Sequence, residues 1–223
     1  MGEAIGSVLP MGVGVALSPV PIIAIILMLG TARARSNGVA FTLGWLAGLA
    51  VVGGLLLVLA GGSATSGSGA PASWVTVLKI IIGALFLVLA VRTWRGRPKE
   101  GAEAEMPGWM RAIDTFAAPK SLGAGALLSG INPKNLALTL GAMATIAQTG
   151  IPGGQQAVAL TVYVLLGSVT IIAPLGIYFL MGTKAKRVLD AMKEWMAAHN
   201  AAIMTVLLLV LGAKLIGDAI AAL

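Results

Sequence analysis

Four consecutive residues, Asn132-Pro133-Lys134-Asn135, interrupt one of the most apolar runs of the chain with a proline, two amides and a cation. A simpler interruption, Ser18-Pro19-Val20-Pro21, lies in the first apolar run. Each puts a proline directly after a small polar residue. Proline offers no N–H and its ring clashes with the preceding turn, so carbonyls lose partners. The residue ahead of it is pushed out of helical geometry. Two prolines two residues apart should unwind about one turn. Ser18, Asn132 and Asn135 have side chains able to pair the backbone groups released there.

Lys134 carries the most chemistry. It lies about 20 Å along a straight helix from the start of its run, too deep to reach the interface by snorkelling. Placing it there costs roughly 3 kcal/mol. Facing a polar cavity and holding an anion or carbonyl would offset that cost, and so would capping the carbonyls freed at the break. Ser18, Pro19, Pro21, Asn132, Pro133, Lys134 and Asn135 are therefore the candidate substrate-binding or translocation residues. Lys79, Lys214 and Asp218 form a second group, a gate or an ion pair. Lys214 and Asp218 are four apart and share a helix face, and Lys79 is shallow enough to snorkel outward. Tyr163, Thr161, Ser168, Thr170 and Pro174 would line a path or serve helix packing.

The elements that position these residues follow from composition. The chain has 223 residues, 58% hydrophobic and only 10% charged, against about 25% charged in a soluble domain. Its mean hydropathy of +0.96 makes lipid the expected solvent. With no cysteine, one histidine and eight acids, thiol chemistry is excluded and neither a metal site nor a cofactor is expected. No nucleophile–base pair or phosphate-cradling loop is visible, so an enzyme is not expected. Six runs approach the roughly 20 apolar residues of a crossing helix: residues 4–29, 39–60, 74–94, 119–148, 155–181 and 201–220. The segment 184–200 has apolar residues at helical spacing, as a helix on the membrane surface or an extension of a span. Trp109, Ile113 and Phe116 suggest either a short interfacial helix or a solvated loop.

Basic residues set the orientation. Arg33 and Arg35; Arg92, Arg95, Arg97, Lys99, Arg111 and Lys120; and Lys184, Lys186, Arg187 and Lys193 all fall in odd-numbered connections. The net charge of +7 is thus a topology signal, not one for nucleic acid, and places those connections in the cytoplasm and both termini outside. The basic clusters "GTARAR" and "GTKAKR" serve topology or bind anionic head groups. Each half has three runs and opens with the interrupted one. Three is odd, so the halves enter the membrane in opposite senses, the sign of an inverted repeat with its substrate site at the repeat interface. The expected fold is an all-α integral membrane protein of six transmembrane helices in two inverted three-helix repeats, with the first and fourth helices broken at mid-membrane. The repeats span residues 1–94 and 119–223, joined by a cytoplasmic linker, 95–118. Gly44 and Gly48 are a small-xxx-small step for helix contact or a dimer seam.

A first span broken at proline-x-proline and a fourth carrying Asn-Pro-Lys resemble the LysE superfamily of six-span exporters. The stretches "ALSPVPIIAIILMLGTARARSNGVAFTLGWLAGLAVVG", "PKSLGAGALLSGINPKNLALTLGAMATIAQTG" and "HNAAIMTVLLLVLGAKLIGDAI" resemble the actinobacterial glycolipid-addressing family, which includes sulfolipid-addressing proteins. The resemblance implies an inner-membrane transporter assisting translocation of cell-envelope glycolipids. Its partners would be membrane lipids or the glycolipid substrate, a larger lipid transporter and a second copy in a homodimer. Export of amino acids or ions, as in other branches, and a scaffold role in a lipid-export complex are the alternatives.

Overall fold

A computed structural model of the chain describes residues 1–64, 73–97 and 112–221. The Gly/Ser-rich loop after residue 64 and the linker through Trp109 lie outside the described residues. Among the described residues every regular element is helical: α1 (Gly2–Ala16), α2 (Pro19–Leu29), α3 (Ala34–Ala64), α4 (Ser73–Arg95), α5 (Ala118–Gly130), α6 (Pro133–Gln148), α7 (Gly153–Met181) and α8 (Ala185–Ile220). Short 3-10 turns at Ile113–Thr115 and Gly182–Lys184 precede α5 and α8.

Both interruptions break helices. α1 and α2 meet at Leu17-Ser18 with a 54° bend, and α5 and α6 meet at Ile131-Asn132. The first break is tighter than a full unwound turn. Pro19 and Pro21 sit in the first turn of α2, where an N–H has no partner within the helix anyway, so neither proline forfeits a bond. Pro133 opens α6 in the same way. Replacing Pro21 by Ala should therefore cost no hydrogen bond, only about 1 kcal/mol for the buried ring atoms it removes, measurable as a melting temperature in nanodiscs.

Among the described residues, three helical stretches are long and apolar enough to cross a membrane: 34–59, 76–95 and 153–220. They become four when the bent α1–α2 pair counts as one span. The third stretch combines α7 and α8 through the 3-10 turn. Both helices pack on α1 and on α2, so the chain doubles back near Gly182, which has a φ of 53°. Val58 and Leu180 are 74% and 88% exposed; in water such side chains would cost roughly 2 kcal/mol each, whereas in lipid they cost nothing. The 184–200 segment is the start of α8 and does not form a separate surface helix. Ile113 lies buried in its 3-10 turn, which packs on α2, and the rest of the expected interfacial helix, with Trp109, lies outside the described residues.

Glycines set the closest approaches. A methyl group added at Gly44 would lie 2.0 Å from the Leu122 carbonyl oxygen, and one at Gly125 would lie 2.1 Å from that of Phe41. One at Gly48 would lie 2.1 Å from Ser129 Oγ. The Gly44–Gly48 step is thus filled by α5 of the same chain. α4 and α8 repeat the device, since a methyl at Gly83 would stand 2.9 Å from the Gly212 oxygen and the reverse distance is also 2.9 Å.

Candidate functional site

The two breaks meet. Lys134, at the start of α6, reaches across to the C-terminal end of α1. Its Nζ donates to the carbonyls of Gly14 (2.8 Å) and Leu17 (3.2 Å) and to Ser18 Oγ (2.7 Å). An ammonium has three protons, and all three are spent. Ser18 Oγ in turn donates to the Val15 carbonyl at 2.6 Å, with Asn135 Oδ1 3.3 Å away. Thr170 of α7 donates to the Ala16 carbonyl at 2.6 Å, and the Leu17 N–H closes on Val13. Every carbonyl from Val13 to Leu17 is therefore paired, as a helix end buried from water requires. The negative end of the α1 dipole also faces the cation, which favours a positive charge there.

Asn132 and Asn135 serve the second break. The Asn132 side chain accepts from the Lys134 N–H at 3.0 Å, as a helix cap. Asn135 Nδ2 donates to Leu128 O at 3.1 Å, pairing a carbonyl left over from α5. Thr139 donates to the Asn135 carbonyl and contacts Tyr163 Oη at 2.9 Å. Ser18, Lys134 and Asn135 are buried. Of the two uses open to Lys134, this arrangement realises the capping one. Tyr163 and Thr170 brace the junction, whereas Ser168 and Thr161 donate only to their own helix. Tyr163→Phe should cost about 1 kcal/mol, the worth of one neutral hydrogen bond. Thermal unfolding in nanodiscs measures it, and Thr139→Val on top of it should add less than on wild type.

The second group gathers elsewhere. Lys79, Lys214 and Asp218 line one cavity with Glu3 and Ser7 of α1, with Thr145 and Gln148 of α6 and with Thr149, which caps α6. Lys214 and Asp218 form an ion pair. Lys79 does not snorkel outward. It is 7% exposed and donates to Gln148 Oε1 at 3.2 Å. An apolar layer separates this cavity from the junction. Leu138 and Leu211 close on Gly14, and Met11 and Leu215 pack at Gly141. Glu3 and Ser7, and Thr145, Gln148 and Thr149, are spaced three or four apart, a signal of shared helix faces. No sequence spacing relates Lys79 to α6.

Interlocked broken helices with a buried cation, wrapped in helices whose outer faces are apolar, define a helical membrane protein whose irregular backbone is paired by side chains. The chain belongs to the sulfolipid-1-addressing protein (Sap) family, whose model matches residues 8–221. No curated protein and no solved structure matches it. The family's description is one of lipid addressing, so a lipid-related function at a membrane follows.

Proposed function

We propose that the protein is a transporter of the cytoplasmic membrane that assists translocation of cell-envelope glycolipids, and that Lys134 is its working residue. The observation that carries this reading is the mutual bracing of the two breaks, with Lys134 of one helix saturated by the freed carbonyls of the other. Such a contact can exist in two states. When Lys134 leaves the end of α1, three acceptors and one cation become available at mid-membrane. A hydroxyl-rich or anionic head group can pair with both sets.

The proposal includes two inverted three-helix repeats, residues 1–94 and 119–223, joined by a cytoplasmic linker 95–118, with both termini outside. Three features support it. Gly12-Val13-Gly14-Val15-Ala16-Leu17-Ser18, the end of α1 and its break, matches Gly123-Ala124-Gly125-Ala126-Leu127-Leu128-Ser129 of α5 in both glycines, a leucine and the serine. α3 packs on α5 and α6, and α7 packs on α1 and α2, so each repeat's second helix embraces the other's broken one. The Gly83–Gly212 contact is reciprocal at equal distance, as a two-fold axis between α4 and α8 would make it. α5 and α6 together then form the fourth span, and α7 and α8 the fifth and sixth.

The test is a comparison of surface and internal lipids in the native host with and without the protein. Loss of a glycolipid from the surface with accumulation inside is expected. Unchanged lipids in both fractions would overturn the lipid reading and leave efflux of small solutes as the assay to run next.

A further inference from the structure

The cavity at the far end of α1 from the junction is not used by the Lys134 mechanism. It is an open cleft of about 330 Å³, at the small end of the range for ligand sites. That is room for one sugar-sized ring. Its walls come from α1, α4, α6 and α8.

The balance of donors and acceptors says what would fit. Ser7, Thr145 and Thr149 each donate their hydroxyl proton to a carbonyl of their own helix, at 2.9, 2.8 and 2.6 Å. Their oxygens are left facing the cavity as acceptors. Glu3 and Asp218 add carboxylate acceptors. On the donor side, Lys79 uses one proton on Gln148 and Lys214 uses one on Asp218. Each lysine keeps two, and the Gln148 amide offers two more. Two lysines and two acids leave the site formally neutral. A bare anion would meet two carboxylates, and a bare cation would meet two ammonium groups. Sugar hydroxyls both donate and accept, so an uncharged polyol satisfies both sets at once. Lys79 is the most telling wall residue, because a lysine so little exposed normally has its protons matched.

We propose that this cavity is a binding site for an uncharged sugar ring, such as the head group of a glycolipid presented at the outer face. The proposal deepens the transport reading by giving the head group a waiting position above the apolar layer of Met11, Leu138, Leu211 and Leu215. Binding itself is measurable without transport.

Because the chain has no cysteine, a single Ala221→Cys at the cavity wall is a clean reporter. The full chain in nanodiscs of sugar-free phospholipid is labelled with a maleimide in the presence of methyl glucoside, serine or inorganic sulfate. Methyl glucoside at five times its half-protecting concentration should slow labelling about sixfold, by mass action. Thr149→Val and Lys79→Met should remove that protection, and Thr149→Val should do so with an unchanged melting temperature. No protection by the sugar overturns the proposal, and so does protection by serine or sulfate in its place. Protection that survives Thr149→Val also overturns it. The outcomes separate the two readings. Sugar protection with unchanged host lipids keeps the site and sinks lipid export, whereas altered lipids without protection do the opposite.

Discussion

Lys134→Met should abolish delivery of the lipid while lowering stability only moderately. The change strands the carbonyls of Gly14 and Leu17 and the acceptor side of Ser18, at roughly 1–3 kcal/mol for each buried group left unpaired. It also removes the cost of holding a cation at depth, roughly 3 kcal/mol. The two partly cancel, and a net loss of about 3 kcal/mol, the middle of the resulting range, is expected, a fall of roughly 6–12 degrees in melting temperature for a chain of this size. Lys134→Arg should not rescue. A planar, forked guanidinium cannot place three donors where a compact ammonium does, and the site is closed around the native side chain, 8% exposed. Ser18→Ala should be milder, about 1 kcal/mol, since it removes one hydroxyl and leaves the lysine its two carbonyls.

Leucine at Gly44 or Gly125 should do more damage to the fold than any change at the junction. Even a methyl group would stand 2.0 or 2.1 Å from a backbone oxygen of the facing helix, and backbone cannot rotate aside as a side chain can. Overpacking a core typically costs 1–3 kcal/mol, and about 3 or more is expected where both obstacles are main chain. Most of the protein should then fail to reach the membrane fraction as a folded species. Gly54→Ala and Gly123→Ala are the controls. Neither position has an atom within 4 Å of the added methyl, and alanine in a helix gains up to about 1 kcal/mol over glycine. Those two should hold or raise the melting temperature, so the sign of the effect separates close packing from a general intolerance of substitution. Equal loss at all four positions would contradict the packing described.

Much of this was readable from residue types alone. The helices and the two breaks follow from apolar runs, from Ser18-Pro19 and from Asn132-Pro133, because proline acts locally. The pairing of Lys214 with Asp218 follows from a four-residue spacing. What the sequence could not decide was where a long side chain goes once helices pack. By residue type Lys134 suits a polar cavity, a carbonyl cap or both, and the approach of α1 to α6 supplies the cap. Lys79 suits an outward reach by its place in the chain, but Gln148 on another helix takes one of its protons and leaves it little exposed. By spacing, Gly44 and Gly48 suit a dimer seam as well as an internal contact, and α5 occupies them in this chain. Thr170 shows the same limit. Its hydroxyl, an ordinary helix-packing group by sequence, caps Ala16 from more than 150 residues away.

The account stands most directly on one comparison: the surface glycolipid of cells carrying Lys134→Met at wild-type abundance in the membrane, set beside wild-type and null cells. The expected result is a surface as depleted as that of the null, with the lipid retained inside, although the variant is folded and present. Wild-type surface lipid in those cells would contradict the claim that Lys134 works in transport and leave it a cap for the broken end of α1.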